Sequence, residues 1–144
     1  MPAEPIFISD DPTKLQLAVI HQYLTNSYWA KGIPFETVLR SIENSICFGV
    51  YDGSKQVGFA RVISDHATFA YLADVFIIES YRGIGLSKKL MQYIIDHHEL
   101  QGLRRWLLAT RDAHGLYVQY GFQPMAIPER WMEKHMPDVY QLNH

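Results

Sequence analysis

Two groups of residues in this chain are of types, and at spacings, that could do chemistry. The first is the run YRGIGLSKKL, residues 81–90, in which Gly83 and Gly85 stand one residue apart, Arg82 precedes them, and Lys88 and Lys89 follow. Glycines let a backbone approach a ligand with no Cβ in the way. A helix starting just after them offers free N–H groups and the positive end of its dipole to an anion. Lysines in a first helical turn are disfavoured by about 0.3–1 kcal/mol each, a penalty that a bound polyanion reverses. The spacing is not that of a P-loop, and a dinucleotide fingerprint would need a third glycine where this chain has Lys88. The same residues also read as a plain turn into a helix with two solvated lysines. The second group is aromatic: Tyr23, Tyr28, Trp29 and Phe35, with Arg40 close by in sequence. Such a group can hold an apolar or cationic ligand, or it can be ordinary core and loop packing.

The elements that must position these groups can be read from periodicity. Residues 5–9 (PIFIS) suggest a first strand. Asp11 as N-cap and Pro12 at the first helical position predict a helix to about Asn26, with Leu15, Ala18, Val19 and Gln22 at helical spacing. A second helix is expected from Pro34, with Val38, Leu39 and Ile42 facing inward. Residues 46–51 and 56–63 are β-rich and flank Asp52-Gly53-Ser54-Lys55, a hairpin signal. A long β-branched and aromatic run, residues 68–78, precedes the glycine loop, and Leu86, Leu90, Met91, Ile94 and Ile95 come after it as an amphipathic helix. Residues 107–110 read as a strand, 113–120 as a short helix stopped by Gly121, and 122–127 as a last strand. Hairpins in the middle with helical crossovers around them imply an α/β chain with a mixed sheet covered on both faces.

Composition narrows the classes. The 144 residues suit a single domain, 1–144, with a real core. Formal net charge is −2, with 13 basic against 15 acidic residues, so the basic excess of a nucleic-acid binder is absent. Cys47 is the only cysteine, which excludes an internal disulfide framework and a cysteine metal cluster; it reads as a buried hydrophobe. No apolar run approaches the roughly 18 residues of a membrane span, and no basic-then-apolar leader opens the chain. The expectation is a cytoplasmic protein without membrane or nucleic-acid partners. His97 and His98, adjacent on an expected helix, would not share a face, and no metal site is expected.

The chain resembles the GCN5-related N-acetyltransferase (GNAT) family. That family's core motif, Arg or Gln, two residues, Gly, one residue, then Gly or Ala, lies between a long central strand and a helix. Here it reads Arg82-Gly83-Ile84-Gly85-Leu86-Ser87, with Ser87 at the Gly or Ala position. The preceding segment ADVFIIESYRG is similar to the family's central strand, with Ile77 at the usual Val position. A second motif lies downstream in DAHGLYVQYGF: Ala113, Leu116-Tyr117 and Gly121-Phe122, with Thr110 where the family carries Asn. The tail PERWMEKHMP resembles that of a bacterial subgroup.

The resemblance implies a mostly antiparallel sheet of six to seven strands, splayed at its centre and flanked by about four helices. It implies acetyl-CoA as co-substrate, without a metal. The pyrophosphate would lie on backbone N–H groups of Arg82, Gly83, Ile84, Gly85, Leu86, Ser87 and Lys88, and the pantetheine would pair with the central strand at Val75, Phe76 and Ile77. The implied reaction is direct transfer of the acetyl group, in a ternary complex, to a primary amine of a small molecule or peptide. Tyr117 matches the family's general acid; a phenol ionising near 10 can protonate a leaving thiolate of comparable basicity. A backbone N–H near Phe76 would stabilise the oxyanion. Asp74 would face the same side as Phe76 and Ile78 if no bulge intervenes; it reads either as the base, directly or through water, or as a structurally bonded carboxylate. Tyr28, Trp29 and Arg40 are the candidate acceptor-binding residues. A homodimer is an expectation at family level only. The alternative function is a non-catalytic acyl-CoA-binding sensor or partner-binding module.

Overall fold

The computed structural model describes residues 5–141. In chain order the main elements are β1 (Ile6–Ser9), α1 (Leu17–Thr25), α2 (Phe35–Glu43), β2 (Ile46–Asp52), β3 (Lys55–Ser64), β4 (Phe69–Ile77), α3 (Leu86–Ile95), β5 (Arg105–Leu108) and α4 (His114–Val118). Five strands form one sheet in the order β1-β2-β3-β4-β5. All pairings are antiparallel except the parallel β4–β5 pair, whose crossover contains α3. The Asp52–Lys55 hairpin forms as its sequence demands, with Asp52 opposite Lys55 and Gly53 at φ +59°.

Alternating side chains build two cores. Phe48, Val50, Ala60, Val62, Ala70, Leu72 and Ile77 pack with Leu86, Leu90, Met91 and Ile94 of α3. Cys47, Phe59 and Phe76 pack with Ile20 and Leu24 of α1 and Val38 and Ile42 of α2.

Several expectations are corrected. The sheet has five strands, not six to seven. Residues 122–127 form no strand: Pro124 lacks the N–H that a ladder requires, and Met125 and Ile127 stay exposed. Asp11 does cap the chain, its Oδ1 accepting from the Thr13 amide at 2.9 Å, but it caps only a 3-10 turn, Pro12–Lys14. The Gln56 side chain then takes the Gln16 amide at 2.7 Å, and the helix proper begins at Leu17. Its buried stripe is Ile20 and Leu24, with Ala18 and Gln22 outside it. His97 and His98 do come together: α3 ends at Ile95, and beyond it the two rings stack at 4.6 Å.

Two irregularities of β4 shape its edge. Arg61 pairs with Ala73 and Phe59 with Phe76, so Ala60 alone faces both Asp74 and Val75, a bulge in which Asp74 takes φ +56°. In addition, β5 pairs with β4 only from Phe69 to Leu72, while β4 runs on to Ile77. The sheet is therefore open on that side of β4 beyond Leu72.

Candidate active site

The glycine loop lies just past that open stretch. Gly83 and Gly85 lie at φ +82° and +85°, the left-handed region that favours glycine, and a Cβ on either would meet no protein atom within 4 Å. Gly85 is the N-cap of α3, with no side-chain cap and no acidic residue in the first turn. The first intrahelical bond at this end runs from the Lys89 amide to the Gly85 carbonyl, so the amides of Leu86, Ser87 and Lys88 stand ahead of the ladder as donors. A cleft of about 280 Å³ opens here, lined by Ile77, Tyr81, Arg82, Gly83, Gly85, Leu86, Ser87, Lys88 and Leu116. Most of the residues assigned to the cofactor thus come together. Ile84 points outward, 60% exposed, Val75 packs against the α3-side core, and the Phe76 ring stacks on Tyr23 at 3.9 Å.

The Arg82 side chain turns away from the loop's amides. Its Nε donates to the Ile77 carbonyl at 2.9 Å and its Nη2 to the Tyr23 hydroxyl at 2.8 Å, tying the loop to β4 and α1. The Ile78 amide donates to Val57 on β3, so by strand alternation the amides of Ile77 and Val75 point to the open side.

The two sequence motifs meet. Leu116 of α4 walls the cleft, and the Tyr120 hydroxyl donates to the Lys88 carbonyl at 2.9 Å. Thr110 Oγ1 accepts from the Ala113 amide at 3.0 Å and so opens α4. Tyr117 is 8% exposed and packs edge-on against Phe122. Burial first, and nearby Tyr28 second, raise its phenol above its ordinary value, so at neutral pH it carries its proton.

Asp74 reaches the α1 side of the sheet despite the bulge. Its Oδ2 lies 2.9 Å from Arg61 Nε and its Oδ1 accepts from Trp29 Nε1 at 2.8 Å. Arg61 Nη1 also donates to Ser45 Oγ at 3.2 Å. Trp29 meets Tyr28 edge-to-face at 5.1 Å, and both remain substantially exposed, at 40% and 55%. The Arg111 guanidinium stacks over the Tyr28 ring at 3.9 Å. Phe35 leaves this group to pack against His21, and Arg40 is exposed on α2 with no ion pair among the described residues. Sequence reasoning missed Arg61 and Arg111. Arg61 had a signal, since it is the one charge inside the apolar run QVGFARVI; Arg111 had none.

Cys47 is 6% exposed, and burial pushes its thiol up to about 12, which removes it as a nucleophile at neutral pH. Among the described residues no group of His, Cys, Asp and Glu could hold a metal ion, and no helix is long and apolar enough to cross a membrane.

The family model described as "Acetyltransferase (GNAT) family" matches residues 17–122, and the chain belongs to that family. Among its relatives is a Gibberella zeae protein provisionally named an acetyltransferase, 32% identical, with 76% of this chain and 74% of that protein covered. A Xanthomonas campestris crystal structure, provisionally assigned as a GNAT acetyltransferase, superposes at TM-score 0.93 with 48% identity, covering 96% of this chain and 99% of that one. A Clostridium acetobutylicum structure solved with acetyl-CoA shares the fold at TM-score 0.62 and 12% identity, covering 97% and 99%. The family uses acetyl-CoA as acyl donor.

Proposed function

We propose that the protein transfers an acetyl group from acetyl-CoA directly to a primary amine of a small molecule or peptide, in a ternary complex. The observation that carries this reading is the meeting of the two motifs: Leu116, next to Tyr117, walls the same cleft as Gly83, Gly85 and Lys88. The residues fit the donor. The uncapped amides of Leu86, Ser87 and Lys88 suit the pyrophosphate, and the open edge of β4 at Val75 and Ile77 suits the pantetheine amides. When bound, acetyl-CoA supplies a thioester whose C–S bond is exchanged for an amide C–N bond, the amine losing one proton and the departing thiolate gaining one.

This chain's groups divide that work. The Val75 or Ile77 amide, aimed at the open side, donates to the developing oxyanion. Tyr117, kept protonated by burial, gives its proton to the sulfur. Of the two roles open to Asp74, its double engagement with Arg61 and Trp29 supports the fixed one. It holds Trp29 at the acceptor side, with Tyr28 beside it, and the amine's proton leaves through water. Direct transfer agrees with the buried, un-nucleophilic Cys47.

The test is an amine panel with acetyl-CoA, monitored by release of free thiol. Thiol release that depends on the amine supports the reading. Tight acetyl-CoA binding with no turnover on any amine would instead make the protein an acyl-CoA-binding module.

A further inference from the structure

We propose that Arg111 recognises an oxyanion on the acceptor, so that the preferred acceptors are amines that also carry a carboxylate or a phosphate. This inference deepens the acetyltransferase reading and rests on it.

Arg111 lies between the end of β5 and the start of α4, next to Thr110, whose hydroxyl opens α4. Its guanidinium is held over the Tyr28 ring at 3.9 Å. A cation–π contact made through Cζ leaves the guanidinium's N–H donors available to other partners. Among the described residues no hydrogen bond or ion pair engages those donors, Asp112 included. An arginine oriented by a ring but with its edge uncommitted is preorganised for bidentate capture of an oxyanion.

The electrostatics of the aromatic corner point the same way. Tyr28 and Trp29 meet at an interplanar angle of 80°, forming two adjoining walls. The carboxylate behind them, Asp74, is already neutralised by Arg61 at 2.9 Å. Of the two arginines at the corner, Arg61 is paired with Asp74 and Arg111 has no ion pair among the described residues. A second cation on Tyr28 would face like-charge repulsion from it, whereas an anion would complete the pair. An acceptor with an amine at one end and an oxyanion at the other would be oriented by Arg111 while its apolar body lies along Tyr28 and Trp29.

The experiment uses the full chain and matched amines: phenylalanine against phenethylamine, β-alanine against propylamine, O-phosphoethanolamine against ethanolamine, with cadaverine as the dication. In the wild type at least one anionic member should exceed its neutral match in kcat/KM by roughly tenfold or more, and the pair that does so separates carboxylate from phosphate recognition. Arg111→Gln should raise KM for that acceptor, leave its neutral match within about twofold, and leave acetyl-CoA affinity by calorimetry unchanged. Arg111→Glu should invert the preference toward cadaverine. Neutral or dicationic amines preferred by the wild type, no acetylation of any member, or a preference untouched in both variants, would each overturn the inference. If the wild type fails to bind acetyl-CoA at all, the acetyltransferase reading falls first.

Discussion

The indole nitrogen of Trp29 donates to the carboxylate of Asp74 at 2.8 Å, joining residues 45 positions apart and fixing an aromatic wall to the bulge of the central strand. The other carboxylate oxygen is held by Arg61. A group bound on both sides is better suited to hold neighbours still than to shuttle a proton, and it sits where β4 departs from regular pleating.

Asp74→Asn keeps an acceptor for the indole but strands the Arg61 cation, whose side chain is 16% exposed. Stability in urea should fall by about 1–3 kcal/mol, and the double variant with Arg61→Met should recover much of that loss. Turnover of Asp74→Asn should stay within about tenfold of wild type, because loss of a true general base costs on the order of 100-fold or more. A larger drop in kcat, with the acid limb of the pH profile gone, would return Asp74 to the role of base.

Tyr117→Phe removes the proposed proton donor and keeps the ring against Phe122. Turnover should fall by about 100-fold while acetyl-CoA affinity by calorimetry shifts by no more than about threefold. Because the phenol's value is raised, the activity it supports should persist across neutral pH and decline only at alkaline pH above its ordinary value.

Lys88 lines the cleft in the first turn of an uncapped helix. Lys88→Glu should weaken acetyl-CoA by roughly tenfold at low salt, with the difference shrinking as salt is raised. An unchanged dissociation constant at low salt would remove the loop from the binding site.

Burial lifts the Cys47 thiol from 9.0 to about 12. At pH 8 the native thiolate fraction is about one in ten thousand. Native protein should therefore react with a thiol reagent far more slowly than unfolded protein, and free-thiol assays of turnover should carry little background. As pH climbs from 9 toward 12 the unfolded thiol ionises before the native one, so stability falls across that window.

Tyr51 is 2% exposed, and its hydroxyl is buried without a partner among the described residues. Tyr51→Phe should therefore be neutral or stabilising by up to about 1 kcal/mol in thermal unfolding. The ring lies across Gly49, where a Cβ would collide with it, so Gly49→Ala should destabilise unless Tyr51 is also reduced.

The sequence made much of this visible because local signals and tertiary outcome agree. The Asp52–Lys55 turn fixed its hairpin, the apolar stripe from Leu86 to Ile94 fixed α3, and the glycine loop fell between strand and helix. What stayed hidden depends on partners distant in the chain. The bulge at Asp74 arises from register against β3, and alternation within β4 alone cannot reveal a two-against-one pairing. Arg61 and Arg111 meet partners 13 and 83 positions away in sequence, Asp74 and Tyr28. Residues 122–127 carried strand-like side chains, yet one proline denied them a ladder.

The parting of β4 from β5 beyond Leu72 is built in by folding itself. On the proposed reading, a donor entering that wedge would break no ladder bonds to make room and would add its own amides along Val75 and Ile77, as a missing piece of secondary structure. Its arrival should register as a rise in melting temperature that grows with the logarithm of its concentration, even when no amine is present.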